Sequence, residues 1–244
     1  MKILGIDEAG RGCVIGPLVV AGVVISDENW EKLTELGVRD SKRLSRSRRA
    51  LLATQIERLA QRVIVLEIGP SELDENLTDI ELRAMGQIIR ESRAEQVYLD
   101  LPVGPLARDG FIQALRERAL TPGPSHPHPS VPSPLRGRGE GVRGRMPEGR
   151  GEGLVAENKA DAKYPVVSAA SIIAKVYRDR AIEQLRREYG EFGWGYPAEP
   201  KTRAFLREFF ARTGRFPDCA RRKWRTLHRL TEDLRRGDHT WLIK

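Results

Sequence analysis

Acidic residues stand at three places in the sequence where a structured element begins or ends. Asp7 and Glu8 follow the apolar stretch ILGI, Asp100 ends the apolar run VYL, and Asp161 precedes a long helical pattern. In an α/β sheet, sites assemble at strand ends and helix starts, so these four side chains can converge although they are far apart in sequence. Clustered carboxylate oxygens favour magnesium or manganese, and no His or Cys lies near them, which disfavours zinc.

Taken alone, these acids have a simpler interpretation. Asp7 and Glu8 could lie in a turn with both carboxylates in water, because Gly10 and Gly12 follow them. The sequence holds no convincing Ser-His-Asp or Cys-His set, so a hydrolytic site here would work without a protein nucleophile. From the residues alone, an acidic metal site and a solvated turn both remain open.

The elements that would position the acids alternate between strand and helix. Runs rich in Ile, Val and Leu predict strands at residues 2–6, 17–25, 62–68, 96–101 and 154–157. Helical spacing of apolar residues, with Ser45 as the first cap, predicts helices at residues 48–61, 78–93, 104–120, 166–189, 201–212 and 220–236. This alternation indicates an α/β fold.

One stretch departs from this pattern. Residues 121–153 consist largely of Pro, Gly, Ser, Arg and His and contain almost no large apolar side chain, so they cannot build a core. We therefore expect a disordered insertion within a catalytic domain of residues 1–195. A basic helical extension of residues 196–244 is expected to follow that domain.

The basic residues are concentrated at the end of the chain. The net charge is +8, and residues 201–244 contain 13 basic and 5 acidic side chains. Such a segment suits a polyanion, since each neutralised phosphate releases counterions, but a solvated helix surface explains the charge equally well. The sequence lacks a long apolar run and has two cysteines, Cys13 and Cys219. We expect a cytoplasmic protein with no membrane partner.

Five motifs make the chain resemble ribonuclease HII, particularly the archaeal type. In the family's order they are DEAGRG near the N-terminus, DSKRLS at 40–45, LD at 99–100, NKADAKYPVVSAASIIAKVYRD at 158–179 and GYP at 195–197. The resemblance covers nearly everything outside residues 121–153 and implies a ribonuclease H-like fold, with a central mixed sheet flanked by helices. The span between Asp100 and Asp161 is longer than in the family, and we attribute the difference to the insertion.

The resemblance implies an endonuclease that hydrolyses the RNA strand of RNA–DNA hybrids, including 5′ of a single ribonucleotide embedded in duplex DNA. Its catalytic acids, and the ligands of two divalent ions (Mg²⁺ or Mn²⁺), would be Asp7, Glu8, Asp100 and Asp161. Such ions activate a water and stabilise the leaving 3′ oxygen, giving 3′-hydroxyl and 5′-phosphate ends. We expect a monomer that acts on RNA–DNA hybrids and on DNA containing ribonucleotides.

Seven further residues are expected to bind the substrate: Gly10, Arg11, Gly12, Ser41, Lys42, Lys163 and Tyr196. The 2′-hydroxyl distinguishes RNA from DNA along the backbone, and the glycines of the GRG triplet (residues 10–12) let the main chain approach it. By resemblance, Tyr196 stacks on the sugar after the ribonucleotide; it could instead be a turn residue packed on Trp194. Ser41, Lys42 and Lys163 suit phosphates, although the first two could simply precede a helix.

The C-terminal helices are expected to hold the DNA strand through Arg221, Arg222, Lys223 and Arg225, while Arg178 is expected to pair with Asp179. Two rival functions remain. A junction resolvase or a ribonuclease HIII would share the fold, and a catalytically silent nucleic-acid-binding protein would share the charge. The GRG triplet and GYP argue against the first, and the intact acids argue against the second.

Overall fold

The computed structural model describes residues 1–38, 44–120 and 153–236. Its strands are β1 (Lys2–Ala9), β2 (Leu18–Ser26), β3 (Arg62–Ile68), β4 (Gln96–Asp100) and β5 (Leu154–Glu157). They form one sheet in the order β3-β2-β1-β4-β5, in which β1 is antiparallel to β2 and parallel to β4, and β4 is parallel to β5. The predicted mixed sheet is confirmed.

The helices are α1 (Trp30–Glu35), α2 (Arg46–Leu59), α3 (Leu77–Ser92), α4 (Arg108–Leu120), α5 (Ala160–Lys163), α6 (Pro165–Tyr189), α7 (Pro200–Thr213) and α8 (Arg225–Arg236). The predicted cap is confirmed, since Ser45 Oγ accepts a hydrogen bond from the Arg48 N–H at 3.2 Å. The sequence patterns did not predict the short helices α1 and α5. None of the described helices combines the length and apolar character that crossing a bilayer requires.

The last helix begins five residues later than predicted. Ala220 forms an isolated bridge with Ile15, and the Arg221 N–H donates to the Val14 carbonyl at 2.9 Å. These long-range main-chain bonds replace the helical bonds that residues 220–224 would have made. Residues 220–224 therefore form a connection that is bonded to the loop after β1.

The central strands are buried on both faces, as expected for strands covered by helices on each side. On one face, α6 approaches β1 so closely that a Cβ on Gly5 would lie 2.2 Å from the Val166 carbonyl oxygen. On the other face, Ile88 of α3 lies against Leu4 and Gly22. The helix α6 can pack at this distance because Gly5 has no side chain.

The described residues divide into two compact units. The first comprises Met1–Ala9 and the described parts of Val19–Glu67 and Thr78–Tyr177, and the second comprises Gly10–Leu18, Ile68–Leu77 and the described part of Arg178–Lys244. Each unit has its own apolar core. The predicted division into domains 1–195 and 196–244 stays a prediction.

The predicted insertion lies outside the described residues except for Gly153. The Gly153 carbonyl accepts a hydrogen bond from the Val97 N–H at 2.7 Å, so this residue already belongs to the approach to β5. The insertion therefore ends before Gly153.

Replacing residues 121–152 with a short Gly-Ser linker is expected to shift the melting temperature by less than about 4 °C, which corresponds to roughly 1 kcal/mol in a domain of this size. The reason is that this sequence offers almost no apolar surface to bury. Circular dichroism melts of both proteins measure the shift. A loss of cooperative unfolding in the shortened protein would show that the segment contributes to the core.

Candidate active site

The pairing of β1 with β4 brings two of the predicted acids side by side. Ile6 pairs with Leu99, so the residues that follow them, Asp7 and Asp100, are neighbours at the same end of two parallel strands. Asp161 lies in the first turn of α5, shortly after β5. One carboxylate oxygen from each of Asp7, Asp100 and Asp161 lies within 4.8 Å of the other two. Three of the four predicted acids therefore meet.

The turn that carries Asp161 is fastened to the end of β4. The Ala160 N–H donates to Asp100 Oδ1 at 3.1 Å, and Asn158 Nδ2 donates to the Leu101 carbonyl at 3.2 Å. These bonds set the direction in which the chain leaves β5. The Asp100 carboxylate thus helps to hold the turn that carries Asp161 by accepting a main-chain hydrogen bond, although the two carboxylates repel each other.

Two residues of α6 that the sequence reasoning missed act on Asp7. The pKa of Asp7 is raised from 3.8 to about 6, chiefly by burial. The charge of Lys175 and a hydrogen bond from Ser171 oppose this rise, and the charge of Asp100 adds to it. Lys175 Nζ also donates to Ser171 Oγ. The two residues are four positions apart, so they share one face of the helix. That spacing, within an otherwise apolar stretch, was the signal available in the sequence.

The donor set suits a hard divalent cation. The group contains three carboxylates, of which Asp7 and Asp161 are buried. Mg²⁺ and Mn²⁺ prefer oxygen ligands, and a cation would offset the repulsion of the buried negative charges. The residues present therefore fit such an ion.

Glu8 is not one of the three acids whose oxygens meet. It is the half-buried residue that follows Asp7 in β1, and its N–H donates to Asp7 Oδ1 at 2.8 Å. Neighbouring residues of a strand point to opposite faces of the sheet, which is consistent with the absence of Glu8 from this group. The role of Glu8 as a metal ligand stays a prediction.

The GRG triplet begins the loop between β1 and β2, residues 10–17, here called the GRG loop. Gly10 has φ +88°, and a Cβ there would lie 2.7 Å from the Pro17 carbonyl oxygen. Gly12 is exposed, and the space that its Cβ would occupy is open to 4 Å. Gly10 is therefore needed for the turn itself, whereas Gly12 leaves room for another molecule to approach the main chain.

Tyr196 is 41% exposed and is held at two points. The guanidinium carbon of Arg178 lies 4.9 Å from the centroid of the Tyr196 ring, and the Tyr196 hydroxyl forms a hydrogen bond with the Cys13 thiol.

Arg178 also donates to Cys13 Sγ at 3.1 Å and to the Trp194 carbonyl. The predicted ion pair of Arg178 with Asp179 is confirmed at 3.2 Å. Arg178 thus links several parts of the second unit.

Among the other predicted binding residues, Arg221 does not lie on a surface. The prediction that it holds the DNA strand is wrong, because its side chain is 0% exposed and donates to main-chain carbonyls of the GRG loop. Lys163 is exposed and forms an ion pair with Glu157, so its phosphate contact stays a prediction. Ser41 and Lys42 lie outside the described residues.

Comparison with known proteins gives consistent matches. A family model described as Ribonuclease HII matches residues 4–104 and 147–227. Ribonuclease HII proteins from Archaeoglobus fulgidus and Thermococcus onnurineus are 42% and 39% identical, over 93% and 96% of this chain and 96% and 92% of their own length. The chain belongs to the ribonuclease HII family. The solved ribonuclease H2 from Pyrococcus horikoshii OT3 is 35% identical with a TM-score of 0.77, covering 96% of this chain and 99% of its own.

Ribonuclease HII enzymes are metal-dependent endoribonucleases that cut the RNA strand of RNA–DNA hybrids. Membership confirms the predicted family, the ribonuclease H-like fold and the enzyme class. The family match favours ribonuclease HII over the related nucleases that were considered as rivals. It also favours an enzyme over a silent binding protein, because the three clustered acids are present.

We expect Asp7→Asn to stabilise the metal-free protein above pH 7 by up to about 3 kcal/mol, since a shift of two pKa units corresponds to about that energy. The pKa of Asp7 is raised in the folded state, so its contribution to the free energy of unfolding is most favourable below pH 3.8. That contribution is lost as the pH rises through about 6. The gain in melting temperature should therefore be small at pH 4 and large at pH 8 in EDTA.

Calorimetry at both pH values measures this difference, with the exposed Asp109→Asn as the matched control. Adding Mg²⁺ or Mn²⁺ at pH 8 should raise the melting temperature of the unmodified protein more than that of Asp7→Asn. Equal melting temperatures of the unmodified protein and Asp7→Asn in EDTA at pH 8 would contradict an energetic cost of burying the Asp7 carboxylate.

Proposed function

We propose that the chain cuts the RNA strand of RNA–DNA hybrids and also incises duplex DNA on the 5′ side of a single embedded ribonucleotide. The products carry 3′-hydroxyl and 5′-phosphate ends. The observation that supports the proposal most strongly is the meeting of Asp7, Asp100 and Asp161 within 4.8 Å at one end of two parallel strands and the start of α5. Membership in the family supports the hybrid as a substrate.

The residues that would hold two divalent ions, Mg²⁺ or Mn²⁺, are Asp7, Glu8, Asp100 and Asp161. Ions bound there supply a Lewis acid that lowers the pKa of water and offsets the charge on the leaving 3′ oxygen. Ser171 and Lys175 favour the ionised form of Asp7, which is the form that binds a cation. The role of α6 is thus to keep a buried carboxylate available as a ligand.

The GRG triplet would recognise the 2′-hydroxyl of the ribonucleotide. A hydroxyl both donates and accepts, so main-chain N–H and C=O groups can each bind it. The open space at Gly12 supports a close approach of the sugar to this main chain. The guanidinium of Arg11 would hold a neighbouring phosphate.

Tyr196 would stack on the sugar that follows the ribonucleotide. Two-fifths of its surface is exposed, while Arg178 and Cys13 hold the ring and the hydroxyl. A fixed and exposed ring can contact a sugar without losing much side-chain entropy. This contact would allow the enzyme to recognise the junction between RNA and DNA.

Backbone phosphates of the substrate would be bound by Ser41, Lys42, Lys163, Arg222, Lys223 and Arg225. The described members of this set are exposed, which supports contact with a polyanion. We also propose that a monomer is the active form.

Asp7→Asn is expected to lower kcat on an RNA–DNA hybrid by roughly 10³-fold or more, a loss of about 4 kcal/mol of transition-state stabilisation. Hybrid binding measured in EDTA should survive, because without bound ions the removal of a negative charge does not weaken attraction to phosphates. Gel assays of cleavage with Mg²⁺ and fluorescence anisotropy of hybrid binding measure the two quantities. Undiminished cleavage by Asp7→Asn would refute the acidic metal site.

Tyr196→Ala is expected to reduce cleavage at a single embedded ribonucleotide at least about tenfold more than cleavage of a long hybrid, since one stacking contact contributes about 1–3 kcal/mol. A long hybrid offers many positions that do not depend on one junction. Steady-state kinetics on both substrates give the ratio, and Tyr196→Phe, which keeps the ring, serves as the control. Equal losses on the two substrates would remove the junction role.

A further inference from the structure

Arg221 is a fully buried arginine whose hydrogen bonds go to the main chain of the GRG loop. Nη2 donates to the Gly10 carbonyl at 2.7 Å, Nη1 to the Arg11 carbonyl at 3.2 Å and Nε to the Gly16 carbonyl at 3.0 Å. The guanidinium carbon lies 4.9 Å from the centroid of the Trp224 ring. One planar group therefore connects the two ends of the loop.

Attachment of the C-terminal segment to the loop does not require this side chain. The Gly16 N–H donates to the Cys219 carbonyl at 2.9 Å, and the Arg221 N–H donates to the Val14 carbonyl at 2.9 Å. These main-chain bonds hold the middle and the end of the loop. The side chain adds bonds at the beginning of the loop, where the GRG triplet lies. The Gly10 carbonyl also accepts a hydrogen bond from the Cys13 N–H at 3.2 Å, so the side chain shares the Gly10 carbonyl with the main chain and acts most specifically on the Arg11 carbonyl.

The orientation of the two carbonyls determines the orientation of two main-chain donors. A peptide unit is planar and trans, so the C=O of one residue and the N–H of the next point in opposite directions. By binding the carbonyls of Gly10 and Arg11, the guanidinium fixes the N–H groups of Arg11 and Gly12 so that they point away from it. The Cβ position at Gly12 is open, so a sugar can approach this part of the main chain.

We propose that Arg221 is a positioning residue for RNA recognition: it aims the main chain of the GRG triplet at the ribose 2′-hydroxyl from a buried site in the C-terminal segment. The inference rests on the proposed role of the triplet in binding that hydroxyl. It assigns Arg221 no contact with the substrate. A glycine-containing turn would otherwise sample several orientations, and the preorganised donors avoid that entropic cost at binding.

The test compares Arg221→Gln and Arg221→Lys with the unmodified full-length protein. Affinities for an RNA–DNA hybrid and for an all-DNA duplex of the same sequence are measured by fluorescence anisotropy in EDTA. Arg221→Gln is expected to lower the preference for the hybrid about five- to tenfold, the effect of one hydrogen bond, while affinity for duplex DNA stays unchanged. Arg221→Lys keeps the charge but cannot bind three carbonyls with one planar fork, so it should lose part of the preference.

The matched control is Leu206→Ala, which removes a fully buried side chain from the apolar core of the second unit. It should lower the melting temperature without changing the ratio of the two affinities. The same variants are assayed for cleavage with Mg²⁺. Arg221→Gln should lose more kcat/KM on a single ribonucleotide than Leu206→Ala loses.

Each outcome decides the inference. A folded Arg221→Gln that keeps the full preference for the hybrid overturns it, as does a control that loses the preference equally. Failure of both Arg221 variants to fold also overturns it, because a role confined to the loop predicts a folded protein. If the unmodified protein itself neither prefers nor cleaves the hybrid, the proposed function fails instead, and the two failures are thereby distinguished.

Discussion

Three carboxylates held within 4.8 Å of one another are the constraint around which the first unit is organised. Like charges at this separation repel, and burial of Asp7 makes its ionised form still less favourable. The acids cannot hold each other in place, so strand pairing and main-chain N–H donors must do so. The pairing of β1 with β4 and the Ala160 N–H on Asp100 provide this framework.

In the second unit, buried arginine side chains hold the main chain in place. Arg178 and Arg221 are both buried, and several of their hydrogen bonds go to main-chain carbonyls. Burial lowers the pKa of Arg221 to about 10, which still leaves the guanidinium charged at neutral pH. An arginine that remains charged when buried can bind several carbonyls at once, whereas a neutral amide has fewer donors. The loop geometry therefore depends on side chains far away in the sequence.

Much of this could be predicted from local patterns. The strands follow from runs of Ile, Val and Leu, and the acids at strand ends and before a helix predict a site of Asp7, Glu8, Asp100 and Asp161, of which all but Glu8 meet. Ser171 and Lys175 were missed because a polar pair at helical spacing is equally common on a solvated helix face. Which face of α6 points inward is decided by its packing on the sheet, and periodicity alone does not report that.

Arg221 was misassigned for a related reason. It stands in the basic run RRKWR, and such runs usually lie in solvent, as Arg222 does here. The side chain of Arg221 is buried because residues 220 and 221 bond to the loop after β1, roughly two hundred positions earlier. The same contact delays the start of α8. Long-range main-chain contacts of this kind produce no periodic pattern in a single sequence.

The register of β1 determines the position of Asp7 beside Asp100. The side-chain period of a strand is two, so a slip by one residue would move Asp7 from the face that meets α6 to the opposite face. Such a slip would also place Leu4 or Ile6 opposite Val166, where a Cβ on Gly5 would already lie 2.2 Å from the carbonyl oxygen. A single glycine thus excludes the neighbouring registers by steric overlap.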